Sequence, residues 1–547
     1  MIELGQGRTP RVFGWVLWIA LAAAWFATMP WRPLLDPDEG RYAEIPREMV
    51  ARGDWVTPRL NDLKYFEKPP LQYWATAAAY SVFGFSEWTA RLWTVALGFL
   101  CLPMVLAWTA RLYGARAGLG AFLVLAVSPY FELIGHLNLL DAGFSFWVAG
   151  SVFAFCLAQT SPVGSKAARG WMWTAWAAAA LAVLSKGIVV GVLIGATLIL
   201  YMLIERDWRL WRRLHLLTGG PLFLAIAAPW FIWVSVRNPS FAQFFFIHEH
   251  FARFLTTVHQ RVEPWWYFGA LLLIGALPWL AVLPGACREA WRGEGEVTAG
   301  SVFKPLKFLL IFSIVTVVFF SASSSKLAPY VLPMMPPLAA LVGVFVAGRP
   351  RFLQRVAQFS GWLLLALAGG FVLYARHRFG FLPAGATRWL ALAALVASVG
   401  MLVTRVSSAW QAPRAAWLAA ASAMLGWQLL LSAFTELPDR TGYTMLKTVK
   451  PLIGTETELF SVGQYRQTLS AYLQRTLRLV QFEGELAFGL GEEPGARLTQ
   501  EAFLAHWQAA TNAVVFVDPS VYNQWRQEGM PGRVIGGDNV TLAVSRQ

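Results

Sequence analysis

Long apolar runs recur from about residue 12 to residue 434, and no other feature limits the fold of this chain as strongly. Most are long enough to cross a hydrocarbon layer about 30 Å thick, where a backbone must satisfy its own hydrogen bonds. The pattern predicts a polytopic α-helical membrane protein with about thirteen spans. They fall near 12–30, 88–110, 117–135, 141–159, 171–185, 187–204, 216–236, 265–287, 306–322, 327–347, 357–375, 386–404 and 414–434. The fifth is short, and the break at Ser185-Lys186-Gly187 reads as a candidate re-entrant turn. The first run lacks a small-residue cleavage site and continues into Trp31-Arg32-Pro33, so a retained span is expected. Hydrophobic residues make up 57% of the chain and charged residues 14%, with a mean hydropathy of +0.49, which argues against a soluble protein.

The net charge is +14, a value that invites a nucleic-acid reading. The basic residues, however, sit in alternate short loops between apolar runs: Arg111 and Arg116, Lys166 and Arg169, Arg206 to Arg213, Arg288 and Arg292, Arg349 to Arg355. That is the pattern of cytoplasmic loops, with anionic lipid or phosphate as partner and no nucleic acid. It sets the N-terminus inside. Loop 31–87, the turn at 135–141, Lys186, segment 237–264 and the turn at 321–326 then share the opposite face. One extracytoplasmic site at the membrane surface is expected. Cys101, Cys156 and Cys287 lie in or beside apolar runs without metal-knuckle spacing and read as buried small hydrophobes.

The densest polar cluster is Asp38-Glu39-Gly40-Arg41-Tyr42-Ala43-Glu44-Ile45-Pro46-Arg47-Glu48-Met49, directly after the first span. Asp38 and Glu39 are candidate catalytic carboxylates; the plainer reading is a helix start with solvated charge. Arg41 and Lys68 together make a candidate phosphate clamp, one planar fork and one point charge. Lys326 and Tyr330, where a span opens among prolines, are candidates for the same anion. Asp141 opens the fourth span and is either an N-terminal helix charge or a third catalytic carboxylate. Tyr65 and Arg253 are candidate substrate contacts. Glu67 and His248 are candidate ligands for a divalent metal such as zinc, although no cofactor is required by the chemistry. There is no Gly-rich phosphate loop and no nucleophile motif. A transferase on an outer face has no cytosolic nucleotide sugar available, so a polyprenyl phosphate is the natural donor carrier.

From about residue 436 the period changes. Runs at 458–462, 477–482 and 513–518 alternate as strands do, with helical patterns near 464–475 and 499–510. Two domains are expected: a transmembrane unit over 1–435, including loops 31–87 and 237–264, and an outer α/β domain over 436–547.

The cluster at 38–49, with Gly53-Asp54-Trp55 and Tyr65-Phe66-Glu67-Lys68-Pro69, closely resembles the lipid A aminoarabinose transferases. These are GT-C glycosyltransferases, related to protein O-mannosyltransferases. The likeness continues through Leu140-Asp141, Ser185-Lys186-Gly187, His248-Glu249-His250-Phe251-Ala252-Arg253-Phe254 and Lys326-Leu327-Ala328-Pro329-Tyr330. The resemblance implies a monomeric bacterial inner-membrane enzyme with a periplasmic site. It would move 4-amino-4-deoxy-L-arabinose from undecaprenyl phosphate to a lipid A phosphate, inverting the sugar and giving polymyxin resistance. A polyprenyl-phosphate transferase for another sugar would share these motifs. A lipid or sugar transporter would carry charges at mid-span instead.

Overall fold

The computed structural model describes residues 8–252, 263–293, 303–406 and 413–546. Among these, eight helices are long and apolar enough to cross a membrane. Helices α1 (Arg8–Phe26), α2 (Asp38–Arg52) and α3 (Leu71–Phe83) precede the first of them, α4 (Glu87–Tyr113). A bent pair, α5 (Ala115–Val127) and α6 (Pro129–Gly135), turns by 64° and can count as a ninth. The turn falls where Pro129 removes a backbone donor and pushes Ser128 out of helical geometry. Helices α7 (Leu140–Thr160), α8 (Lys166–Lys186), α9 (Val189–Glu205) and α10 (Leu216–Arg237) follow. The short fifth run is therefore part of a 21-residue helix. It stops at Gly187, whose φ of 102° only glycine adopts readily.

The run at 265–287 is not one continuous helix. Pro278 and Pro284 divide it into α11 (Tyr267–Gly275), a 3-10 turn (Leu277–Trp279) and α12 (Leu283–Arg292). The remaining spans are α13 (Pro305–Ala322), α14 (Met335–Val346) with the 3-10 turn Ala328–Met334 before it, α15 (Pro350–Phe379), α16 (Ala384–Val406) and α17 (Pro413–Thr435). Small residues allow a close approach of α5 and α14. Gly120 and Gly343 meet backbone to backbone, and neither has room for a Cβ.

On the site-bearing end, α2 lies beside a short hairpin of β1 (Arg59–Leu60) and β2 (Leu63–Lys64) and beside α3. Asp38 and Glu39 occupy the positive first turn of α2, Arg52 its last turn, and Gly53 closes it with φ 67°. The C-terminal domain rests on this platform. Its sheet has strands β3 (Glu458–Val462), β4 (Arg478–Val480), β5 (Arg497–Leu498), β6 (Ala513–Val517), β7 (Arg533–Gly537) and β8 (Leu542–Ser545), ordered β5-β4-β3-β6-β8-β7. The first four run parallel, with Leu459 opposite Val514; β8 is antiparallel to β6 and β7. All five residues of β6 are buried, as expected of a central strand covered on both faces.

The platform and the domain share one apolar core. Leu34, Ile45, Leu60 and Tyr65 pack in the same cluster as Leu446, Leu469 and Phe516. A helix of the domain, Gln467–Leu473, lies directly on α2. A Cβ on Gly40 would sit 2.5 Å from the Thr468 backbone nitrogen, so the contact needs glycine there. Polar clasps lock the seam. Arg466 Nε donates to Asp36 Oδ2 at 2.9 Å, Thr468 N donates to Asp36 Oδ1 at 3.0 Å, and Asn61 exchanges two hydrogen bonds with the Leu477 backbone.

Candidate active site

The turn from Pro37 into α2 carries Asp38 to the surface and turns Arg41 inward. Arg41 is buried, with Nη1 3.1 Å from Asp38 Oδ1 and Nη2 paired to Glu485 of the C-terminal domain. The Tyr42 and Tyr65 rings lie 5.8 and 6.0 Å from its guanidinium carbon. Burial opposes its charge, but Tyr65, Glu485 and Asp38 outweigh it and hold the guanidinium protonated well beyond its ordinary range. Three buried donors in this cluster have no hydrogen-bond partner among the described residues: Arg41 Nε, Tyr65 Oη and Tyr73 Oη. Buried donors are nearly always satisfied, so such a group marks a place for an acceptor.

Burial pushes the Tyr42 hydroxyl upward, against the pull of Arg41, and Asp38, Glu67 and Asp141 all add to the rise. Carboxylates from loop 31–87 and from α7 therefore act on one hydroxyl. On the α7 side, Asp141 is ion-paired with Lys186. The Lys186 ammonium lies 4.6 Å from the centre of the Tyr330 ring and 5.5 Å from that of Phe144. Gly187 ends α8 at the residue that puts Lys186 there, and the Tyr130 hydroxyl ties the bent pair to the Ala328 carbonyl at 2.5 Å.

Lys68 Nζ lies 2.7 Å from its neighbour's carbonyl, 3.5 Å from Glu249 Oε2 and 3.8 Å from Glu67 Oε2. His248 Nδ1 lies 3.4 Å from Glu249 Oε1. Glu249 and His248 belong to a π-helical turn, Gln243–Ala252, whose Phe244 ring packs against Phe488, while Phe241 just before the turn meets Phe66 and Trp230 edge-on. Glu67 and His248 gather no metal-binding set among the described residues. The Glu67 and Glu249 carboxylates share an ammonium, and no group of three or more metal-ligating side chains converges among the described residues.

Two other expectations change. Glu39 is not a free catalytic carboxylate. Arg91 of α4 grips it with two 2.7 Å hydrogen bonds, and the backbone nitrogens of Leu35 and Asn138 donate to it at 2.9 and 2.8 Å. Burial works against its charge, yet Arg91 and Arg32 hold it below the usual glutamate range. It is the pin between the α2 turn and the turn that leads to Asp141. Lys326 is buried and donates to the Ser323 carbonyl at 2.7 Å, within its own turn, rather than joining Lys68. Arg253 lies outside the described residues. Sequence reasoning missed Glu485, which no local motif marks. It also missed Arg91, whose place near the start of an apolar span was a signal, because such a charge is costly without a partner.

Two family models match the chain: dolichyl-phosphate-mannose-protein mannosyltransferase over residues 15–245, and aminoarabinose transferase C-terminal domain over 445–546. The chain is 30% identical to the undecaprenyl phosphate-alpha-4-amino-4-deoxy-L-arabinose arabinosyl transferase of Pseudomonas aeruginosa strain UCBPP-PA14, covering 93% of this chain and 94% of that one. A relative of the same name from Edwardsiella ictaluri is 32% identical over 343 residues, and that match spans 60% of its length. The crystal structure of ArnT from Cupriavidus metallidurans bound to undecaprenyl phosphate superposes with a TM-score of 0.85 at 33% identity, covering 98% of both chains.

Proposed function

The chain belongs to the undecaprenyl phosphate-α-4-amino-4-deoxy-L-arabinose arabinosyl transferase family, and from this we propose that it moves that aminosugar from undecaprenyl phosphate to a phosphate of lipid A. The observation that carries the reading is the cluster of unpartnered buried donors around Arg41, which suits a phosphate rather than a neutral sugar. An oxygen of the lipid A phosphate attacks the anomeric carbon from the face opposite the leaving group. The bond from that carbon to the donor phosphate breaks, and its electron pair leaves with undecaprenyl phosphate. An acceptor phosphate is already anionic, so no strong general base is needed.

Arg41 and Lys68 neutralise the charge that grows on the leaving phosphate. Tyr65 and Tyr330 complete the donor's surroundings. Asp38, half exposed beside Arg41, positions the acceptor or the sugar, and the Asp141–Lys186 pair orients the opposite wall. The enzyme acts as a monomer in the bacterial inner membrane with this site toward the periplasm. Covering lipid A phosphates with a cationic sugar would weaken the attraction of polymyxin-type peptides. Reconstitution in proteoliposomes with aminoarabinosyl undecaprenyl phosphate and lipid A tests the reading. Release of undecaprenyl phosphate should depend on both substrates and on Arg41. Release without lipid A, or undiminished release by Arg41→Ala, would contradict it.

A further inference from the structure

Between α9 and α10 the chain reads Arg206-Asp207-Trp208-Arg209-Leu210-Trp211-Arg212-Arg213-Leu214. Trp208–Leu214 is a 3-10 helix. With three residues per turn, side chains three apart eclipse one another. Trp208 and Trp211 therefore form one ridge, and Arg209 with Arg212 forms the next. Both ridges are open: Trp208 is 61% exposed and Trp211 57%, and Arg206, Arg209 and Arg212 are exposed as well. Leu210 and Leu214 are buried and anchor the turn from beneath, and the Leu214 carbonyl accepts from Trp176 Nε1 at 2.8 Å.

Among the described residues, the cations on this ridge meet no acid. Among the described residues, Arg206, Arg209 and Arg212 form no ion pair. Glu205 is taken by Lys304 and Lys307 at 2.6 and 2.5 Å, and Asp207 accepts from the Arg209 backbone nitrogen at 3.2 Å. The adjacent face of α8 repeats the theme, with Arg169 5.7 Å from the Trp173 ring and Trp173 Nε1 donating to Thr218 Oγ1 at 3.1 Å. Helix α9 runs from beside Lys186 to Glu205, so this turn lies at the far end of α9 from the active site, roughly 25 Å away along its axis.

A basic loop alone is a topology signal. A bare arginine ridge locked beside a bare tryptophan ridge is a more specific shape. Guanidinium groups take phosphate oxygens in bidentate fashion, while indoles settle at the glycerol and carbonyl level just beneath. Both can act on one molecule. We propose that this turn, with the Arg169–Trp173 face of α8, binds the headgroup of an anionic phospholipid of the phosphatidylglycerol class. The site is separate from the one that handles the sugar donor.

The test is native mass spectrometry of the full chain in neutral detergent, titrated with phosphatidylglycerol or phosphatidylcholine. The wild-type chain should retain phosphatidylglycerol in clear preference. Arg209→Gln with Arg212→Gln should weaken that retention roughly twenty-fivefold, about fivefold for each cation at an anionic lipid surface. Transferase activity measured in the same detergent should be unchanged. Equal retention of the two lipids by the wild-type chain overturns the proposal, and so does unchanged phosphatidylglycerol retention by the double variant. Should the double variant fail to fold, the wild-type preference decides alone.

Discussion

Lys68 and Glu39 show how differently neighbouring charges in one loop can be used. Lys68 sits between Glu67 and Glu249 with its ammonium close to two carboxylates. In the proposed reaction it stabilises the departing phosphate, so Lys68→Ala should lower the turnover rate by roughly 10²-fold or more while leaving the fold intact. Single-turnover kinetics with the polyprenyl donor checks this. Glu39 works through Arg91 and belongs to stability. Removing one partner of a buried ion pair typically costs about 3–5 kcal/mol, so Glu39→Ala should unfold at clearly lower temperature. A carboxylate held below its ordinary value of 4.5 contributes its full stabilisation above that pH. The contribution is lost as pH falls through its own lower midpoint. The thermal stability of the wild-type chain should therefore fall below about pH 4.5, and Glu39→Gln should flatten that acid limb. The motif made Arg41, Lys68 and Asp38 legible from the sequence because like chemistry clustered within a short stretch. The difference between Glu39 and Asp38 was not legible, because adjacent carboxylates on a helix point about 100° apart and only burial tells them apart.

At the scale of elements, α2 is where the two halves of the molecule meet. The sequence revealed the helix start at Asp38 and Glu39 and the strand pattern of the C-terminal domain. It did not reveal that the domain sits on α2, since Glu485, Arg466 and Thr468 lie more than four hundred residues from their partners Arg41 and Asp36. Gly40 records that contact most directly. Adding a methyl there forces a backbone-to-backbone seam apart at a typical overpacking cost of about 1–3 kcal/mol. Gly40→Ala should make residues 436–442, which join α17 to the C-terminal domain, more sensitive to limited proteolysis and lower activity together with it. The division of the 265–287 run escaped the periodicity for another reason. Hydropathy averages over a window, whereas Pro278 and Pro284 act at single positions.

Across the whole molecule, apolar helices hold polar segments distant in sequence at one end of a bundle. The first loop contributes Asp38, Arg41, Tyr65 and Lys68, the span ends contribute Asp141, Lys186 and Tyr330, and the C-terminal domain contributes Glu485. The central claim is that this assembly transfers aminoarabinose to lipid A. It is tested most directly by mass spectrometry of lipid A from a Gram-negative host that makes the donor but lacks its own transferase. Expression of this chain should add aminoarabinose to lipid A phosphates, and the Asp38→Asn form, present in the membrane at equal level, should add little or none. Lipid A that stays unmodified beside a folded, membrane-inserted chain would contradict the assignment of the substrate pair.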